Sequence, residues 1–333
     1  MATTTTDTTN AAAPLLQPSI LLDAHVHIAD RRPNATTAED AQIQVSISPA
    51  SPPNPSRLFV HRLNRDTVSL LYEDAQIVSA ADGLLLRVTI VTTTAPSRLE
   101  NDYFVYSYQG PGRPSLRRLP SPPFPFHDDE AGLLPLPVPG GGGRRLVDRG
   151  EEVEGCPKAN RGIAVLDGCL RMVELEVHGE ILPTRDPETG HLDREIKNWE
   201  LYMYTNSKIT GAWEDWQLVH RVEASHINID QAIHDSLLQS GLLRDKTQDG
   251  KERKLHNLLT SQPALSLDGE GVVYLLTKVK FMQRQAWVLA VDVKGNKILG
   301  LAEFGTDTYL GLSLAYCPSR ISSYMDASTT TDN

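Results

Sequence analysis

Near the start of the chain, three side chains have the types and spacing that metal chemistry uses. The apolar run Ile20-Leu21-Leu22 leads into Asp23-Ala24-His25-Val26-His27, an Asp-x-His-x-His pattern. On an extended strand successive side chains alternate between faces, so His25 and His27 point to the same side. Two neutral imidazoles on one face can ligate a divalent cation, and a bound cation turns water into a nucleophile near neutral pH. The other eight histidines (61, 127, 178, 191, 220, 226, 234 and 256) and many aspartates are available to complete such a site. The structural alternative is two partly exposed histidines on an edge strand.

This pattern resembles the first-strand metal motif of the amidohydrolase superfamily, which implies a (β/α)8 barrel and metal-dependent hydrolysis. A barrel of that kind needs helices alternating with strands to bring its ligands to one mouth, and the rest of the chain lacks that alternation. Other motifs carry less chemistry. Gly140–Gly143 followed by Arg144-Arg145 has the glycines of a phosphate loop, but no Gly-Lys-Ser/Thr follows and no strand precedes it, so it reads as a flexible linker. There is no Gly-x-Ser-x-Gly elbow and no Cys-x-x-Cys pair, and neither Cys156 nor Cys169 sits in a nucleophile motif. The reading is of a chain with no catalytic residue, cofactor or metal, His25 and His27 being its sole metal candidates. Trp199, Trp213, Trp216 and Trp287 all fall in strand-like segments and read as core or inter-strand packing. An exposed Trp213/Trp216 pair would be the candidate anchor for a partner.

Composition narrows the partners. With 333 residues, 40% hydrophobic and 22% charged, the chain can bury a core as one large domain or two ordinary ones. A formal net charge of -10 disfavours nucleic acid and anionic membranes, which need clustered Lys and Arg. Arg117-Arg118 and Arg144-Arg145 are too short to reverse that. Three cysteines point to a reducing compartment, and neither a signal-peptide pattern nor a membrane-length apolar run is found. The expected location is cytoplasmic or nuclear, not secreted.

The elements that must position these residues read as strands. Residues 1–18 and 325–333 are Thr-rich and read as disordered ends. Between them, IQVSI (43–47), RLFVHRL (57–63), GLLLRVTIVTTT (83–94) and DYFVYSY (102–108) are β-branched runs of strand length, giving an N-terminal β region over 19–118. The stretch 119–150 holds a Pro/Gly-rich loop or linker, whose prolines at 120, 122, 123, 125, 135, 137 and 139 are also of the kind that forms a polyproline II docking peptide. A C-terminal β region follows over 151–324. RGIAVLDG and CLRMVELEVHG predict a hairpin closed by Asp167-Gly168. WELYMYTNSKITGAWEDWQLVHRV predicts a strand, a turn around Gly211 and a second strand opening near Trp213. VVYLLTKVKF, AWVLAVDV and ILGLAEF predict a tight meander. One short amphipathic helix is expected at 229–243, with Ile229, Ile233, Leu237 and Leu238 on one stripe. The fold class is mainly β, made of antiparallel meanders in a sandwich or propeller-like arrangement.

Several of these segments together resemble the plant proteins of the domain-of-unknown-function 1618 family, which is expanded in grasses. They are SILLDAHVHIADRRPNATTAED, DYFVYSYQGPGRPSLRRLP, GIAVLDGCLRMVELEV, AWEDWQLVHRV and the run from PALSLDGEGVVYLLTKVKF to ILGLAEF with its Tyr-Cys-Pro-Ser tail. The resemblance spans nearly all of 19–324 and departs from the family in two places. Asp23-Ala24-His25 stands where the family has Asp-Arg-Tyr-like residues, which makes His-x-His a local variation. A long central family segment is missing, with a seam over Leu134 to Arg144. The resemblance implies no reaction. The β meanders and the missing catalytic constellations point instead to a non-catalytic β-sheet module acting through a protein partner, propeller-like and incomplete where the middle is lost. The alternatives are a metal-dependent hydrolase using His25 and His27, and a shortened, non-functional or regulatory fragment.

Overall fold

The computed structural model describes residues 19–28, 36–39, 43–62, 69–71, 75–80, 82–92, 99–120, 157–187, 190–209, 212–244, 252–269, 271–281, 283–305 and 315–325. Residues 1–18 and 326–333 of the ends expected to be disordered, the Pro/Gly-rich stretch beyond Pro120 and the seam expected at 134–144 lie outside the described residues, whereas Met325, expected in the tail, is buried in the core of the large sheet.

The β-branched runs become strands, as expected. In the first part of the chain these are β1 (Ile20–Asp23), β2 (His25–Ile28), β3 (Thr36–Glu39), β4 (Ile43–Ser48), β5 (Pro55–Arg62), β6 (Ser69–Leu71), β7 (Ala75–Ala80), β8 (Leu84–Thr92), β9 (Leu99–Tyr108) and β10 (Pro114–Arg118). After the short helix α1 (Pro157–Asn160) come β11 (Arg161–Leu166), β12 (Cys169–Arg185), β13 (Leu192–Asn206) and β14 (Gln217–Glu223). The amphipathic helix α2 (Gln231–Gln239) is followed by β15 (Leu259–Leu265), β16 (Val272–Lys278), β17 (Gln285–Asp292), β18 (Lys297–Gly305) and β19 (Tyr316–Ser319).

These strands form one 11-stranded sheet and two four-stranded meanders, β11-β12-β13-β14 and β15-β16-β17-β18; none closes into a barrel. The hairpin at Asp167-Gly168 is a two-residue turn with φ of 51° and 71°, the left-handed geometry that Asp-Gly accepts. In α2, Asp230 caps the first turn by accepting from the Ile233 N–H at 2.8 Å. Leu237 is fully buried, and Ile229, Ile233 and Leu238 pack against the same core.

Three apolar clusters show how the sheets stack. Ile20 and Leu22 of β1 pack with side chains of β4, β5, β7, β8 and β9, so the large sheet folds back on itself about β2. Leu21 faces the other way, into a cluster with Val272, Tyr274, Leu276, Ala286, Val288 and Ala290. The alternate residues Val273, Leu275, Trp287, Leu289 and Val291 join Val173, Leu175, Trp199 and Leu201 of the β11–β14 sheet. Strands β1, β16 and β17 are thus buried on both faces, which explains why their sequences are continuous apolar runs and not alternating ones. Close backbone approach joins the last two layers: a Cβ at Gly162 of β11 would lie 2.2 Å from the Pro263 carbonyl oxygen of β15.

The ends of the described chain are tied together. β19 pairs antiparallel with β1, from Ile20 opposite Ser319 to Asp23 opposite Tyr316. It also reaches the neighbouring sheet, since Tyr316 Oη donates to the Gln262 carbonyl at 2.7 Å and the Ala315 N–H donates to Gln262 Oε1 at 2.7 Å.

Candidate interaction surface

The structure places His25 and His27 together and gives Asp23 a different task. Asp23 is 6% exposed, and its Oδ1 accepts from the His25 backbone N–H at 3.0 Å, closing an Asx turn. That turn breaks the apolar run at Ala24, whose N–H donates to the Ala315 carbonyl at 2.9 Å and whose carbonyl accepts from Ile77 N–H at 2.8 Å. The chain leaves β19 there and joins β7 as β2. The imidazoles of His25 and His27 meet edge to face with centroids 5.9 Å apart, and His27 also lies 5.5 Å from the Phe59 ring. Asp23 Oδ2 is 3.4 Å from His27 Nε2. Among the described residues no group of three or more His, Cys, Asp or Glu side chains is arranged to hold a metal ion. β2 is not an edge strand, as the structural alternative expected: it lies between β7 and β5, because the Asx turn feeds it into the sheet interior.

The tryptophans divide. Trp199 is fully buried between the two meanders, and its Nε1 donates to the Leu255 carbonyl at 3.1 Å. Trp287 belongs to the same core. The strand expected to open near Trp213 instead opens at Gln217, because Trp213–Asp215 forms a 3-10 turn. The side chain of Trp213 lies outside the described residues. Trp216 is half-buried, with an indole N–H that finds no partner among them.

A surface that motif reading did not single out emerges from the register of β11–β14. One row across the sheet's outer face runs Ile163, Met172, Tyr204, Leu218, and the next runs Arg161, Glu174, Tyr202, Arg221. In the charged row, Arg161 Nε and Nη2 both donate to Glu174 Oε1, at 2.9 and 2.7 Å. Glu200 accepts from Tyr202 Oη and Arg221 Nε, each at 2.7 Å. Burial alone would raise the Glu200 pKa, but these donors outweigh it and hold the carboxyl below its usual range. Burial and the same carboxylate push the Tyr202 phenol up to about 12.

Exposed apolar side chains concentrate on this sheet. Of nine large exposed apolar residues among those described, Ile163, Val165, Ile181, Leu192, Leu218 and Val219 lie on its strands and Ile209 on the β13–β14 connection; Ile28 and Leu299 lie elsewhere. Leu218 is 52% exposed on β14, an edge strand. A register shift between Met203 and Tyr204 leaves Val219 bulged, and such a bulge disfavours pairing with another chain's strand while turning side chains outward. The hydrophobic positions were visible in QLVHRV; that they face outward depends on the bulge, which has no local sequence signal.

Residues 121–274 match the model of a family described as a protein of unknown function (DUF1618), which bears out the family resemblance and takes in the whole β11–β14 sheet. No curated protein and no solved structure gives a match. No described helix is long and apolar enough to cross a membrane.

Proposed function

We propose that this DUF1618-family chain is a non-catalytic interaction module, a propeller-like stack of meanders that docks a protein partner through the β11–β14 sheet. One observation carries the reading: seven of the nine exposed large apolar residues gather on that sheet and its β13–β14 connection, within the stretch that matches the family model. Exposed apolar side chains bordered by charged ones are the usual mark of a docking face. Leu218 and Val219 on the β14 edge and Ile163 and Val165 on the β11 edge supply the exposed apolar part, with Met172 and Tyr204 buried between them, and Arg161, Glu174, Glu200 and Arg221 supply fixed charges beside it. Asp23 closes the turn between β1 and β2, which supports a structural role for it.

The test is quantitative affinity purification from the source tissue with the wild-type chain and a Leu218→Asp/Val219→Ser variant of unchanged melting temperature. The reading expects at least one partner recovered with the wild type to fall about tenfold or more with the variant, the loss of roughly 1.4 kcal/mol of binding. Equal recovery by both chains would reject it.

A further inference from the structure

Beyond the body of its sheet, the β12–β13 hairpin continues as an arm whose described residues from Gly179 to Glu195 are mostly exposed. Ile181 pairs with Arg194 and Arg185 with Leu192, and cross-strand partners share a face. Against that face lies Phe281 from the β16–β17 connection, its ring centroid 4.6 Å from the Arg194 guanidinium carbon. The two elements enclose an open cleft of about 270 Å³ lined by Ile181, Arg185, His191, Leu192, Arg194 and Phe281. A Lys280–Asp186 ion pair at 3.0 Å ties the connection to the arm.

Charge in the cleft runs against that of the whole molecule. The chain carries a net charge of -10, yet Arg185 and Arg194 converge here, and neither has a carboxylate partner among the described residues. Arg185 Nη1 donates to the Gly190 carbonyl at 2.7 Å, which fixes the guanidinium and leaves its other donors available. Stacking on Phe281 does the same for Arg194, because a cation over a ring face keeps its edge N–H groups free. Among the described residues that line the cleft and the adjoining groove, the carboxylates are Asp186, already paired with Lys280, and Asp193. Ile181 at 61% and Leu192 at 41% exposure add an apolar rim that a bare anion would not use.

We propose that this cleft binds an acidic peptide segment of a partner protein. A carboxylate bridges Arg185 and Arg194 through paired N–H donors, and an adjacent apolar side chain settles on Phe281 between Ile181 and Leu192. The inference rests on the reading of the β11–β14 sheet as a docking element, but uses a part of it remote from the Leu218 edge.

Fluorescence anisotropy on the full chain tests it, with a short fluorescein-labelled peptide of Asp and Glu around one central Leu. Binding is expected to weaken about tenfold in Arg194→Ala and in Arg185→Ala, to fall as salt rises, and to fall again when the peptide's Leu is replaced by Ala. Arg194→Lys keeps the charge without the fork and should lose part of the affinity; with Arg185→Gln, it carries the test should Arg194→Ala fail to fold. No binding of the acidic peptide overturns the proposal. So does equal binding by the well-folded variants, equal binding of a peptide with Lys in place of the acids, or preferential competition by anionic lipid vesicles. If the peptide test fails while Leu218-dependent recovery of a partner persists, the cleft alone is refuted.

Discussion

Raising the pH from 7 to 9.5 should stabilise this protein relative to its Lys278→Met variant. Lys278 lies on β16, in the middle of the stack, and is 1% exposed. Its Nζ donates to the Gln283 carbonyl at 2.7 Å, and no carboxylate among the described residues neutralises it. Burial therefore pushes the amine down from 10.5 to about 8. Since the folded pKa lies below the unfolded one, the unfolded chain binds more protons between about 8 and 10.5, and stability rises with pH through that window. The full depression corresponds to at most about 3 kcal/mol, and about 2 kcal/mol of it should be recovered between pH 7 and 9.5. Other groups titrate there too. Cys317, pushed up to about 12 by burial and the nearby Asp23, acts in the opposite direction near pH 9 because the unfolded thiol ionises first. Comparison with Lys278→Met cancels that contribution. Urea unfolding of both chains at pH 7, 8, 9 and 9.5 is the assay, provided the transitions stay two-state. A wild-type minus variant difference that stays within about 0.5 kcal/mol across the range would refute the reasoning, since it would mean that Lys278 is solvated in the folded protein.

Other predictions follow from the same core and from the histidine pair. Trp199→Ala removes the largest fully buried side chain between the meanders and leaves the Leu255 carbonyl without its donor, so thermal and urea melts should show a loss of about 3–5 kcal/mol. Elemental analysis of dialysed protein should find zinc well below one equivalent and unchanged by His25→Ala. Stoichiometric zinc that disappears in this variant would restore the hydrolase reading.

Much of the fold was legible because it is local. Asp167-Gly168 and Asn296 mark turns with positive φ, and the three C-terminal runs became β16, β17 and β18. Continuous apolar runs such as VVYLL and AWVLAV carried more information than their strand propensity: they mark strands covered on both faces, hence stacked sheets. The pairing of β1 with β19 was not legible, since register across almost three hundred residues leaves no local trace. Nor was the hairpin arm. GEILPTRDPETGHLDREIKN includes two prolines and many charges, and a ribbon wet on most of its surface needs no alternation of apolar and polar residues. Asp-x-His-x-His is ambiguous in sequence for a related reason: a short carboxylate that closes an Asx turn has the same spelling as a ligand. The contacts of Asp23, with the His25 N–H through Oδ1 and with His27 Nε2 through Oδ2, are visible only in the fold.

The claim that the β11–β14 sheet docks a protein is tested most directly by placing a photo-crosslinking amino acid at Leu218, and at the exposed Glu303 of β18 as control, in the full chain expressed in its own tissue. The account predicts that irradiation joins a discrete second protein to the chain from position 218 and not from position 303. Adducts of equal yield from both positions, or none from position 218 while the protein remains folded, would contradict it.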